Sequence, residues 1–292
     1  MLHTYIESVL TPLGLMDPVA RLATILLAPL AAATLIALFC RRSPRTAITL
    51  SVGAAFIIMA LSLSHLLLWD GLPIDCAWTL FSIGGFDLHI GFNFDGQAAL
   101  LLFVVSFVGF WIHLFSVGYM DDDAAPARFF GGLSIFMFSM LGIVFSDNLF
   151  MLFIFWELVG FSSYMLIAHY FTTEDASNAA KKAFIVNRVG DVGFLLGILW
   201  AYQHFGTVNL GALKSAVSAD PTLVKAGIAF CLMAFCAVWT FCFLPRSKRL
   251  FCGWGQGCRF TQVFVRWLSA ILKRFSLTRH FRSLAIWPLL MA

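Results

Sequence analysis

Glu157 stands in the middle of the apolar run Phe-Ile-Phe-Trp-Glu-Leu-Val-Gly-Phe-Ser-Ser-Tyr-Met. A charged side chain at the centre of a membrane helix costs roughly 2.5–3.5 kcal/mol on insertion scales. Ionisable groups in such places are rare and mark ion or proton pathways. Desolvation favours the neutral acid and a nearby cation favours the carboxylate, so a carboxyl balanced between the two can load and release a proton. The plainer reading is a neutral, hydrogen-bonded glutamic acid that locks two helices together.

Arg188 and Asp191, in Val-Asn-Arg-Val-Gly-Asp-Val-Gly-Phe, are three residues apart. On a helix they share a face and can pair. They form either a self-contained ion pair near a cytoplasmic end or a charge pair that tunes a proton site on a neighbouring helix. Lys181 and Lys182 are placed to anchor the interface by snorkelling. His113 and His169 titrate in the right range for relay groups, but as single histidines near span ends they also read as interfacial hydrogen-bonding groups. Gly160, Ser162 and Ser163 are small enough to admit close helix contact.

These residues need apolar helices to hold them. The chain is 61% hydrophobic and 12% charged over 292 residues, with a mean hydropathy of +0.90. Ordinary soluble domains carry about 25% charged residues. A bilayer core about 30 Å thick needs about 20 apolar residues per helix, and runs of that length recur here. The expected fold is all-α, a polytopic membrane bundle of about seven transmembrane helices at 21–40, 46–69, 97–119, 129–146, 149–171, 183–205 and 223–244. Only Asp147 and Asn148 separate the fourth span from the fifth, which makes those two antiparallel neighbours. A long polar loop with Asp70, Asp75, Asp87 and Asp95 is expected between the second and third. The N-terminus has no basic stretch and carries Glu7 and Asp17, unlike a cleavable signal peptide.

Lys and Arg in short loops set the orientation. Arg41, Arg42 and Arg45 follow the first span, Lys181 and Lys182 follow the fifth, and the loop after the second has neither residue type. The N-terminus is therefore expected outside and the odd-to-even loops in the cytoplasm.

Residues 1–244 read as the membrane domain and 245–292 as a basic tail. From Phe241 onward there are nine Lys or Arg and no Asp or Glu, and five of the seven cysteines lie between Cys231 and Cys258. Their spacing offers no paired C-x-x-C metal template, and a cytoplasmic face disfavours disulfides. Two readings of the tail stand: translation out of frame after about Val238, or a basic amphipathic interfacial helix around 264–275 with Trp267 and Ile271 on one face. No G-x-G-x-x-G nucleotide loop is present. The apolar neighbours of the basic residues point to a membrane surface rather than nucleic acid.

Taken together, FNFDGQAALLLFVVSFVGFWIHLFSVGYM, RFFGGLSIFMFSMLGIVFSDNLFMLFIFWELVGFSSYMLIAHYF and KKAFIVNRVGDVGF resemble the L subunit of bacterial respiratory complex I, the NADH-quinone oxidoreductase, which corresponds to mitochondrial NADH dehydrogenase subunit 5. The likeness runs from about Asp95 to about Val238. It implies an antiporter-like, proton-translocating subunit in the bacterial inner membrane, with other membrane subunits of complex I and the lipid bilayer as partners. NADH oxidation and quinone reduction would occur elsewhere in the assembly, so the resemblance implies no cofactor, no redox site and no direct NADH binding here. Glu157 would be the membrane carboxylate of the proton site, with Asp191 and Arg188 as the pair that modulates it. The family fold has two inverted repeats of five helices and a broken seventh helix with a lysine in Gly-Lys-Ser-Ala-Gln. Trp239, Thr240 and Phe241 occupy that place here, and the chain covers about half the family length with its first repeat incomplete. Without that lysine, Glu157 is expected to be unpaired, protonated and electrically silent, and this chain alone to be inactive. A large subunit of a multi-subunit Na⁺/H⁺ antiporter would carry similar motifs, and a truncated, non-pumping scaffold or pseudogene product is the third reading.

Overall fold

The computed structural model describes Thr11 and residues 17–219, apart from 41, 42, 70, 73, 84 and 85. The expected seventh span at 223–244 and the basic tail at 245–292 lie outside the described residues.

Six helices there are long and apolar enough to cross a membrane. They are α1 (Pro18–Leu38), α2 (Pro44–Leu68), α3 (Gly96–Tyr119), α4 (Pro126–Phe145), α5 (Leu149–Ile167, continued by a 3-10 turn Ala168–Tyr170) and α6 (Glu174–Phe205). A shorter helix, α7 (Leu210–Ala219), follows. Each of the six falls on an expected apolar run. Prolines 18, 44 and 126 open three of them, where a missing N–H costs nothing. Asp17, Asp95 and Asn148 cap α1, α3 and α5 by accepting from backbone N–H groups of the first turn, which satisfies donors that lipid could not.

α6 starts at Glu174, nine residues before its expected span. Thr173 is extended, and Glu174 and Asp175 fill the first turn, where acidic groups suit the helix dipole. The apolar run marks only the part of α6 fit for the membrane, and the helix continues beyond it. It ends at Gly206, whose φ of 68° is left-handed, the conformation that glycine adopts without strain.

The stretch between α2 and α3 departs from the expected polar loop and from a purely helical chain. It forms an antiparallel hairpin, β1 (Ile74–Ile83) with β2 (Phe86–Phe94), in a register that pairs Ile74 with Phe94 and Ile83 with Phe86 and slips between Thr79 and Phe81. Phe92 and Phe94 pack their rings on Phe145 at the end of α4, at centroid distances of 5.4 and 5.9 Å. The hairpin is thereby part of the core.

α4 is the hub. It packs on α1, α2, α3 and α5, and most of its apolar stretch is buried, whereas each of the other five leaves more than half of its own open. Small polar residues tie these helices together. Ser51 and Ser134 join α2 to α4 through their hydroxyls at 2.8 Å, and Ser62 and Ser106 join α2 to α3 at 2.5 Å. Gly142 of α4 lies under the Phe155 ring of α5, where a Cβ would overlap the ring carbons. α4 and α5 can approach this closely only because position 142 has no side chain.

The connections sort to two ends. Leu149 N–H bonds to the Val208 carbonyl and Leu210 N–H to that of Asp147, both at 2.9 Å, and Phe92 bridges to Ser146. The hairpin, the α4–α5 connection and the α6–α7 connection therefore gather at one end. The opposite end brings the α3–α4 loop against the end of α5. His169 Nε2 lies 3.1 Å from Asp123 Oδ1, and the Arg128 guanidinium donates to the His169 carbonyl. The expected up-and-down alternation of spans four to six has this geometry.

Candidate functional site in the α5–α6 interface

Glu157 is the ninth residue of the nineteen in α5, and Arg188 and Asp191 lie mid-way along the 32 residues of α6. The two helices pack side by side, and that contact brings the three charges together. Arg188 Nη1 forms an ion pair with Glu157 Oε2 across the interface. The same Nη1 lies 3.6 Å from Asp191 Oδ2 on its own helix, as the spacing of three leads one to expect. Arg188 Nη2 also donates weakly to the Glu157 carbonyl at 3.5 Å. Glu157 is therefore not unpaired: Arg188 serves it, because α6 runs past α5 at the level where position 188 faces position 157.

Two aromatic residues finish the arrangement. The Trp156 indole N–H donates to Asp191 Oδ1 at 2.9 Å, and the guanidinium carbon of Arg188 sits 4.6 Å from the centroid of the Phe184 ring, within range of a cation–π contact. The Asp191 side chain is 8% exposed, against 25% for Glu157 and 32% for Arg188. One guanidinium thus lies between two carboxylates in unlike surroundings. Asp191 is enclosed and held by an indole, while Glu157 is on the more open side. A cation shared in this way can favour either carboxylate after a small side-chain movement, and the carboxylate it leaves becomes the better proton acceptor.

The small residues after Glu157 serve packing. A Cβ on Gly160 would stand 3.9 Å from Arg188 Nη2, and Ser162 and Ser163 donate to carbonyls three residues back in α5. Lys181 and Lys182 are exposed, as snorkelling residues are. His113 is buried in α3, with Nδ1 2.8 Å from the Gly109 carbonyl of its own helix. His169 belongs to the Asp123–Arg128 cluster at the membrane end. Neither histidine joins the Glu157 group.

Sequence reasoning missed Trp156 as a partner, although it is adjacent to Glu157. It also missed Arg21 and His65, buried at 5% and 2% exposure in α1 and α2. The signal for His65 was available: an ionisable residue in Leu-Ser-Leu-Ser-His-Leu-Leu-Leu meets the same criterion that singled out Glu157.

Comparisons with known proteins agree with this architecture. Residues 78–130 match the family described as NADH-Ubiquinone oxidoreductase (complex I), chain 5 N-terminus. Residues 146–245 match the family described as NADH:quinone oxidoreductase/Mrp antiporter, TM. Together these matches take in just over half of the chain. NAD(P)H-quinone oxidoreductase chain 5 of Synechocystis sp. is 39% identical over 185 residues, covering 61% of this chain and 27% of that protein. NADH-quinone oxidoreductase subunit L of Mycobacterium tuberculosis is 37% identical over 183 residues, covering 62% of this chain and 29% of that protein. The chain thus spans less than a third of the length of these curated relatives. Among solved structures, the Mrp complex from Dietzia sp. superposes with a TM-score of 0.61 at 21% identity over 75% of this chain and 23% of that one, a likeness of fold. The chain is a multi-pass membrane protein with an antiporter-like fold, and it belongs to the chain 5/subunit L family of NADH-quinone oxidoreductase membrane subunits.

Proposed function

We propose that this chain is a proton-translocating subunit of an NADH-quinone oxidoreductase, coupling redox chemistry carried out elsewhere in the assembly to proton movement through the bilayer. The observation that carries the reading is the Arg188 guanidinium lying between Glu157 and Asp191, mid-way along two helices long and apolar enough to cross a membrane. Paired with Arg188, Glu157 is held as a carboxylate. When Arg188 moves to Asp191, Glu157 loses its counter-charge in a low dielectric and takes up a proton. The return of Arg188 expels it. Trp156 holds Asp191 in place during the exchange, so the moving parts are one arginine side chain and one proton.

In this reading the subunit contributes no redox cofactor and no NADH site. Its partners are other membrane subunits of the complex and the surrounding lipid. Its setting is the bacterial inner membrane, with the N-terminus outside and the Asp123–His169 end, followed by Lys181 and Lys182, in the cytoplasm. The likeness in fold to the Mrp complex favours one second reading, the large subunit of a multi-subunit Na⁺/H⁺ antiporter. Both are tested by Glu157→Gln in inverted membrane vesicles, with acidification and quinone reduction followed together. The first reading expects NADH-driven acidification to fall while assembly is kept. Loss of Na⁺-dependent proton exchange alone would select the second, and unchanged transport of both kinds would leave the non-pumping scaffold.

A further inference from the structure

His65 is in the last turn of α2, 2% exposed. Its ring meets Phe94 of β2 edge-to-face at 4.8 Å. Phe94 belongs in turn to the apolar cluster that contains Leu61, Ala98, Leu102 and Phe145. Neither ring nitrogen has a hydrogen-bond partner among the described residues. His113 is the instructive contrast, since it is equally buried but its Nδ1 is engaged by the Gly109 carbonyl. An imidazole always presents a donor, an acceptor or both, and a buried polar group left unsatisfied costs about 1–3 kcal/mol. Buried polar groups in such positions are satisfied by internal water. The charged group within electrostatic reach of the ring is Arg21 of α1, itself 5% exposed, while Asp17 and Asp95 are engaged as the N-caps of α1 and α3. The corner is therefore a polar island inside an apolar wall, at the hairpin end of the bundle.

We propose that the α1–α2–β2 corner is a second hydrated site, separate from the Glu157 group, in which water binds both nitrogens of His65 and the imidazole passes protons between them. In that step an excess proton carried by the water on one side adds to the bare ring nitrogen and leaves that water neutral, the proton on the other nitrogen leaves to the water on its side, and the ring ends as the opposite tautomer with no net charge gained. Phe94 keeps the ring oriented, and the apolar cluster confines the water to the two nitrogens.

The full chain, labelled with ¹⁵N at its histidine rings and reconstituted in lipid bilayers, tests this by solid-state NMR with magnetisation transfer from water. His65→Phe identifies the His65 signals, and the unchanged signals of the other histidines show that the variant still folds. Two internal standards are built in: His204 is exposed and gives the fast limit, while His113 gives the slow limit. The proposal expects transfer to His65 approaching that of His204 and exchange between its two tautomers. A His65 ring as slow as His113 would overturn the hydrated site. A wet ring fixed in one tautomer would overturn the relay.

Discussion

Arg188 has two acids to serve and, among the described residues, is the cation paired with each of them, so the three positions differ in their cost of removal. Two unit charges 4 Å apart attract by about 4 kcal/mol at an effective dielectric of 20, and desolvation offsets part of that. Breaking a fully buried pair by removing one partner costs about 3–5 kcal/mol, whereas exposed pairs are worth about 0–1 kcal/mol. Glu157 and Arg188 lie between these limits, at 25% and 32% exposure, and a double-mutant cycle of Glu157→Gln with Arg188→Gln is expected to give a coupling energy of about 1–2 kcal/mol. The single changes are expected to be unequal. Glu157→Gln leaves Arg188 with Asp191 at 3.6 Å. Arg188→Gln leaves two carboxylates without a cation and also removes the contact with Phe184, worth about 0.5–1 kcal/mol. Arg188→Gln should therefore cost more, until one acid neutralises by taking a proton. Reversible unfolding in mixed micelles with a rising fraction of denaturing detergent reads all four proteins. A coupling below about 0.3 kcal/mol, within the scatter of independent sites, or a Glu157→Gln cost larger than that of Arg188→Gln, would refute the shared-cation arrangement.

Gly142→Ala should destabilise the α4–α5 pair by about 1–3 kcal/mol through overpacking, and Phe155→Leu in the same chain should recover most of it in the same unfolding assay. At the membrane end, burial pushes the Asp123 carboxyl up, but hydrogen bonds from the Ala125 N–H, His169 and Tyr170, with the His169 charge, outweigh it and hold the group below its ordinary value of 3.8. A depressed carboxylate stabilises the fold fully above the unfolded value, and that contribution is lost as pH falls through the lower folded value. The wild-type chain should thus lose stability below about pH 4. Asp123→Asn should flatten that part of a stability-versus-pH curve.

The apolar runs revealed six of the helices because the bilayer demands continuous hydrophobicity over a fixed length, a constraint written directly in sequence. They did not reveal where α6 begins, since Glu174–Lys182 is helical outside the part fit for the membrane. The hairpin was legible but misread. Phe86, Leu88, Ile90, Phe92 and Phe94 alternate with other residues over nine positions and follow Gly84-Gly85, a strand pattern with a turn signal before it. Asp70, Asp75, Asp87 and Asp95, spread through the same segment, give it the composition of a polar loop and obscure that period. At the site, the Arg188–Asp191 pair follows from spacing within one helix. The Glu157–Arg188 pair depends on the rotation and height of α6 against α5, which no local pattern encodes. The expectation that Glu157 would be unpaired failed for that reason, since it sought a partner only in the Gly-Lys-Ser position of a later helix.

The proposed function requires that Arg188 keep Glu157 an ionised carboxylate. Infrared difference spectra of the chain in lipid bilayers at neutral pH, with Glu157→Gln to assign the band, test this directly. A carboxylate band for Glu157 is expected in the wild-type chain, replaced by the carbonyl band of a protonated carboxyl in Arg188→Gln. A protonated Glu157 in the wild-type chain, or a carboxylate unaffected by the loss of Arg188, would contradict it.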